Sequence, residues 1–332
     1  MFITKTIRVG IIGLGIGRWH IESYLAIPKV RVTALCDTDE DKLKSMVTRY
    51  GIIRAYTNYE EFCQSDDIDV VSICVPNHLH TPVVISALEH GKHIFCEEPI
   101  SNSVADAEKI LEVSRKYPDL KAMVAMKFRF NRDAIYIRKM IQTGEMGDVL
   151  YGFASYLKPL DIDYGKNNWR VKKDFSGGGT LIDNGIQVFD LIWWIMGCPE
   201  PVEVIGNTYI RTNASEVEDI ANGMIRFENG ATIIIESAWR SLIQDDTMTL
   251  RIFGTKGTAN LWPFRVILED GRELTSRAMD HKGIVSENQF KHFIQCIENK
   301  HQPSSTIEQS VKVMRMIDAF YRSAKEKKVV II

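Results

Sequence analysis

An excess of either charge is missing from this 332-residue sequence: 41 lysines and arginines stand against 43 aspartates and glutamates, a formal net charge of -2. No global positive field exists to draw the protein to nucleic acid or an anionic membrane, so a small molecule is the expected partner. Long apolar runs are also lacking. No stretch approaches the roughly 18 residues needed to span a bilayer. The start, Met1-Phe2-Ile3-Thr4-Lys5, has none of the features of a secretory signal. The six cysteines (Cys36, Cys63, Cys74, Cys96, Cys198 and Cys296) form no C-x-x-C pair, and several fall in apolar, strand-like runs, as reduced buried thiols do. The expected location is the cytoplasm. No Cys/His/carboxylate spacing supports a metal site. Of the eight histidines, none lies between residues 94 and 280.

What is present is ordinary globular material, 45% hydrophobic and 25% charged, at a length that suits two domains. Over the first 120 or so residues, short β-branched runs alternate with amphipathic segments, the pattern of a parallel sheet with crossover helices. Strands are expected at Ile7 to Ile12, Val30 to Cys36, Val70 to Val75, His93 to Cys96 and Lys121 to Ala125, and helices at Gly17 to Ala26, Glu40 to Tyr50, Pro82 to Glu89 and Val104 to Lys116. Thr81 and Ser103 are the expected N-caps of the last two. Beyond a helix from Arg132 to Thr143 the texture changes. Strands follow one another at Val149 to Leu157, Val202 to Arg211, Ile220 to Phe227, Ala231 to Ala238, Met248 to Phe253 and Thr258 to Leu268, with helices at Leu181 to Met196 and Ser305 to Ala324. The fold class is therefore α/β: a doubly wound Rossmann domain over residues 1–125, then an α+β domain over 126–332 with an open, largely antiparallel sheet.

The first strand runs directly into Gly13-Leu14-Gly15-Ile16-Gly17, and a helix follows at once. Glycines let the backbone turn tightly and approach a pyrophosphate, which sits on the free N–H groups of the helix N-terminus. The usual spacing is G-x-G-x-x-G; here the third glycine arrives one residue early, or Arg18 takes its place. The next strand ends at Cys36-Asp37, where a carboxylate accepts the adenosine ribose hydroxyls and repels the 2′-phosphate of NADP. NAD is the expected cofactor and NADP the less favoured one, although Lys42 and Lys44 soften that discrimination. The carboxyl ends of two further strands carry Cys74-Val75-Pro76-Asn77-His78-Leu79-His80 and Cys96-Glu97-Glu98-Pro99, which adds Cys74, Val75, Pro76, Asn77, His80 and Glu97 to Gly13, Gly15, Ile16, Gly17 and Asp37 as cofactor-side residues.

These segments, with the run Ala87 to Glu97, Ser176-Gly177-Gly178-Gly179-Thr180-Leu181-Ile182-Asp183 and Phe253-Gly254-Thr255-Lys256-Gly257-Thr258, resemble the glucose-fructose oxidoreductase / inositol dehydrogenase / MocA (Gfo/Idh/MocA) family over essentially the whole chain. The resemblance implies an N-terminal NAD(P) domain, a C-terminal domain whose open sheet often mediates dimers or tetramers, and sugar or cyclitol substrates oxidised or reduced at a carbinol carbon. It also implies a Glu-Lys-Pro lysine between nicotinamide and substrate, and an Asp-x-x-x-His pair after the triple glycine. This sequence departs at both places: the lysine position is Glu98, and the histidine position is Gln187.

Carbinol oxidation needs a group to take the hydroxyl proton as hydride leaves. Three replacements remain open: Glu98 with a pKa raised by desolvation, Asp183 with Gln187 orienting the substrate, or Lys127 just beyond the sixth Rossmann strand. Arg129, Trp169, Arg170, Asn184 and Gln187 are the candidate substrate contacts. The leading expectation is an NAD-dependent oxidoreductase acting on the CH–OH group of a polyhydroxylated small molecule, as a homodimer or homotetramer. The alternative is a catalytically lapsed member that binds NAD and ligand as a sensor or regulator.

Overall fold

The computed structural model describes residues 6–159, 168–211, 215–275 and 281–332, without the side chains of 281–288. The chain divides into two compact units, one of residues 1–125 with 286–311 and the other of residues 126–285 with 312–332.

In the first unit, six strands form one parallel sheet: β1 (Ile7–Ile12), β2 (Val30–Cys36), β3 (Arg54–Tyr56), β4 (Val70–Ile73), β5 (His93–Cys96) and β6 (Ala122–Val124). Their order, β3-β2-β1-β4-β5-β6, reverses direction between β1 and β4, the switch point at which doubly wound sheets bind dinucleotides. Val9, Ile11, Val70, Val71, Ile73, Ile94 and Phe95 are buried, as expected for strands covered on both faces. The crossovers are α1 (Gly17–Leu25), α2 (Glu40–Tyr50), α3 (Tyr59–Gln64), α4 (His80–Glu89) and α5 (Val104–Ser114). Ser103 caps α5 by accepting the Asp106 N–H at 3.2 Å. Thr81, expected to cap α4, lies inside it instead, because a short turn over Asn77–Leu79 feeds α4 directly at His80.

The second unit opens with α6 (Arg132–Gln142), then β7 (Val149–Pro159), α7 (Lys173–Ser176) and α8 (Ile186–Ile195). Seven strands follow: β8 (Pro201–Tyr209), β9 (Ile220–Phe227), β10 (Thr232–Ser241), β11 (Thr247–Gly254), β12 (Gly257–Asn260), β13 (Arg265–Leu268) and β14 (Glu273–Thr275). After α9 (His281–Asn299) and α10 (Ile307–Glu326) comes β15 (Val330–Ile331). The mixed sheet runs β14-β13-β12-β11-β7-β10-β9-β8-β15, with β7 and β10 parallel and the other neighbours antiparallel. Gly206 and Gly223 lie side by side on β8 and β9, and a Cβ on either would overlap the Phe320 ring of α10. The missing side chains form the hollow that seats this helix.

Two expected elements come out differently. The strand expected over Thr258 to Leu268 is two strands, β12 and β13, separated by a turn containing Pro263; proline has no N–H to continue the ladder. The helix expected over Leu181 to Met196 begins with a wider π-type turn over Leu181–Gly185 before α8. Helix α9, for which no element was expected, buries Phe290, Phe293 and Ile294. In the first unit Phe290 stacks on Phe95 at a ring separation of 4.8 Å.

Candidate active site

The glycine loop leaves β1 through Gly13, whose φ of 84° suits glycine and whose Cβ would lie 2.5 Å from the Cys74 carbonyl oxygen. Gly17 opens α1 against Ile11 and Cys74, with room for a Cβ only at 3.0 Å from the Ile11 side chain. It is therefore Gly17, not Arg18, that provides the close helix–strand packing of the third glycine. Gly15 faces open space. The N-cap of α1 is Ile16, which has no side chain able to cap the helix; the Trp19 N–H turns back to the Ile16 carbonyl at 2.9 Å, and no side chain caps the first turn. Asp37, 10% exposed, accepts the Leu14 N–H at 2.7 Å and the Asp39 N–H at 2.9 Å, while the Lys42 ammonium stands 3.5 Å away. An open glycine, an uncapped helix start and a carboxylate at the end of β2 fit a dinucleotide.

Beyond β4 and β5, two histidines pin the loops that carry Val75 and Glu97. His80 lies between the Pro99 carbonyl, 2.7 Å from Nδ1, and the Val75 carbonyl, 2.8 Å from Nε2. It thereby ties the Val75-Pro76 loop to the Glu98-Pro99 turn. Burial pushes its pKa below the ordinary histidine value despite both carbonyls, because charging an enclosed ring costs more than a second hydrogen bond returns. His20, on α1, is 2% exposed. Its Nε2 lies 2.7 Å from a Glu97 carboxylate oxygen and its Nδ1 2.8 Å from the Ser72 hydroxyl. Asn77 and Cys74 are buried beside these groups, and burial raises the Cys74 thiol well above its usual range. Glu98 is half-buried and follows Glu97 directly.

In the second unit, Asp183 sits on the π-type turn and is held at both oxygens. The Trp239 indole N–H donates to Oδ2 at 3.0 Å, and the Arg170 Nε lies 3.4 Å from Oδ1. Arg170 in turn stacks over Trp169, 4.5 Å from the ring centroid. The turn is fixed from behind by Glu218, which accepts the N–H groups of Gly179 at 2.9 Å and Leu181 at 3.0 Å and the Tyr321 hydroxyl at 2.8 Å. A Cβ on Gly178 or Gly179 would collide with Tyr321 or with the Glu218 carbonyl, which accounts for the glycines at this point. Burial raises the Glu218 pKa against the pull of these donors. Asn184 Nδ2 and Gln187 Oε1 are buried with no hydrogen-bond partner among the described residues.

Arg129 takes a different place from the substrate contact expected of it. Its guanidinium donates from Nε to Asp190 at 2.7 Å and from Nη2 at 2.5 Å, and both side chains are 1% exposed. An arginine enclosed in this way is a packing and positioning group of α8. Lys127 is half-buried with its ammonium over the Phe128 ring. His20, Glu218, Tyr321 and the Asp183–Trp239 bond were not anticipated as parts of the site. A signal existed for Glu218 alone, an acid beside Asp219 at the start of a strand, but nothing in the sequence names its partners.

The doubly wound sheet with this loop defines an NAD-binding oxidoreductase domain. Residues 7–126 match the oxidoreductase family, NAD-binding Rossmann fold, and residues 138–332 match the same family's C-terminal alpha/beta domain. The chain belongs to the Gfo/Idh/MocA family. Among its relatives, the myo-inositol 2-dehydrogenase of Thermotoga maritima is 29% identical, covering 83% of this chain and 79% of the relative. The D-glucoside 3-dehydrogenase of Escherichia coli is 26% identical, covering 97% and 96%. Of solved structures, the aldose-aldose oxidoreductase from Caulobacter crescentus complexed with glycerol superposes with a TM-score of 0.87 at 27% identity, over 99% of this chain and 100% of that one.

Proposed function

We propose that the protein is an NAD-dependent dehydrogenase or reductase that moves hydride to or from a carbinol carbon of a sugar, cyclitol or related polyhydroxylated small molecule. The observation that carries this reading is the pairing of Asp37 with the glycine loop through Leu14 in a chain whose relatives include inositol and glucoside dehydrogenases. Gly13, Gly15, Ile16, Gly17 and Asp37 would hold the pyrophosphate and adenosine, with Cys74, Val75, Pro76, Asn77, His80 and Glu97 on the nicotinamide side. The bound dinucleotide supplies the hydride acceptor or donor. NAD is favoured over NADP because Asp37 is only 10% exposed and its charge opposes a phosphate there.

Glu98 is the base we assign for substrate oxidation: its carboxylate takes the hydroxyl proton as the carbon–hydrogen bond breaks. Asp183, already accepting from Trp239 and close to Arg170, suits an anchor better than a base. Lys127 is the competing proton acceptor. Trp169, Arg170, Asn184 and Gln187 are proposed to bind substrate hydroxyls, and the unpartnered polar atoms of Asn184 and Gln187 support that role. A family member that keeps NAD binding without turnover is the second reading, favoured by Glu98 and Gln187 at the lysine and histidine positions.

The test is reduced-nicotinamide absorbance with purified protein, NAD or NADH and a panel of inositols, sugars and sugar acids. Turnover on one such class supports the enzyme; tight NAD binding without turnover on any supports the sensor. We further infer a homodimer or homotetramer through the outer face of the nine-stranded sheet, where Ile205, Met224, Ile234 and Phe153 form one row across four strands. A cytoplasmic location is inferred from the six cysteines, which form no disulfide and five of which are buried.

A further inference from the structure

His20 belongs to α1, the helix whose start receives the pyrophosphate, yet its ring reaches across the sheet. Nδ1 meets Ser72 on β4 at 2.8 Å, with the Cys74 sulfur 3.2 Å away, and Nε2 meets Glu97 just past β5 at 2.7 Å. A ring protonated at Nε2 satisfies both partners: Nε2–H donates to the carboxylate, and the Ser72 hydroxyl donates to Nδ1. The ring is also held edge-on to Phe95 and Phe290, at centroid separations of 5.6 and 4.8 Å. In a doubly wound sheet each half binds one mononucleotide. Asp37, after β2, lies in the adenosine half, whereas the turn after β5 lies in the other. His20 is thus a buried link from the pyrophosphate helix to the acidic turn of the second half.

We propose that His20 is a positioning residue that sets the nicotinamide half of the cofactor site by holding Glu97, and through it the Glu98 turn, in register with the glycine loop. The proposal rests on the assignment of that turn to the nicotinamide side, and it gives His20 no contact with substrate. Since Glu97 is 18% exposed and His20 3% at the side chain, the bond is sheltered enough to count as a charge-assisted one.

The experiment compares NADH with ADP-ribose, which keeps the adenosine and pyrophosphate and lacks the nicotinamide. Both are titrated into the full chain by calorimetry, for wild type, His20→Gln and His20→Asn. Glutamine places an amide N–H where Nε2 stands; asparagine places one only where Nδ1 stands. His20→Asn is expected to weaken NADH about tenfold, the weight of one hydrogen bond to a charged group, and to leave ADP-ribose binding unchanged. His20→Gln is expected to keep the wild-type ratio. Glu97→Gln approaches the same bond from its more exposed end and is expected to lower the ratio in the same direction. Equal losses for NADH and ADP-ribose in His20→Asn and Glu97→Gln would mean a general packing role and overturn the proposal. So would an unchanged ratio in both, or a wild-type protein that binds NADH no tighter than ADP-ribose. Absence of turnover on every polyol would defeat the enzyme reading above while these binding ratios still decide the role of His20.

Discussion

Asp37 accepts the backbone N–H of Leu14 at 2.7 Å, so the carboxylate proposed to select the ribose also braces the loop proposed to cradle the pyrophosphate. Asp37→Ala removes both functions together. NADH affinity is expected to fall roughly 10- to 100-fold, the range for hydrogen bonds to a charged group. NADPH affinity should fall less, since the charge opposing its 2′-phosphate is gone. Fluorescence titration of the two reduced cofactors checks this, and unchanged NADH affinity would remove Asp37 from the site.

Glu98 is predicted to carry the proton. Glu98→Gln should lower kcat by about 10²- to 10⁴-fold, the contribution of a positioned general base, while NADH still binds. Lys127→Ala should retain turnover. The charge change has a second consequence: a carboxylate favours the oxidised nicotinamide, which alone is cationic, so Glu98→Gln should weaken NAD⁺ relative to NADH. Full turnover in Glu98→Gln would transfer the role to Lys127.

The buried ring of His80 makes stability depend on pH. Its pKa is depressed in the fold, chiefly by burial, so below the ordinary value of about 6.5 the unfolded chain binds a proton that the folded chain resists. This stabilisation is complete above that value and is lost as pH falls through it toward the folded value. Urea midpoints at pH 8 and pH 5 should therefore differ more for wild type than for His80→Gln. Parallel midpoints for the two proteins would refute the assignment.

Arg129 and Asp190 form an enclosed pair whose rupture is more damaging than its replacement. Arg129→Met alone is expected to cost about 3–5 kcal/mol by leaving a buried carboxylate without its cation, and adding Asp190→Leu should recover most of that. Urea unfolding of the single and double variants measures the difference. Equal stability of the two would show that Asp190 finds another donor.

At the outer face of the second sheet, Ile234 is 40% exposed and Ile205 43%. Ile234→Asp is expected to shift the mass in light scattering toward the monomer without loss of secondary structure. An unchanged mass would place any assembly interface elsewhere.

The NAD-binding fold was legible because its signature is local. Gly13 to Gly17 and Asp37 occupy neighbouring βα turns, and strand, glycines, helix and acid occur in the order the ligand meets them. Helix α9 was also legible in principle, since Phe290, Phe293, Ile294 and Ile297 follow a helical spacing. The split of β12 from β13 was written in Pro263. The route by which Asp183 is held was not: Trp239 and Arg170 come from a distant strand and a distant turn, and no periodicity links them.

By itself, then, the sequence determined the class of both domains, the NAD loop and the absence of the family's lysine and histidine, because these depend on residue type at short spacing. Tertiary structure alone decided that Arg129 is spent on Asp190, that Glu218 braces the triple glycine from 39 residues away, and that His20 joins α1 to the acidic turn. Each of those is a contact between segments far apart in the chain. Their partners are chosen by packing, which brings together groups whose charge or hydrogen-bonding capacity must be satisfied once water is excluded.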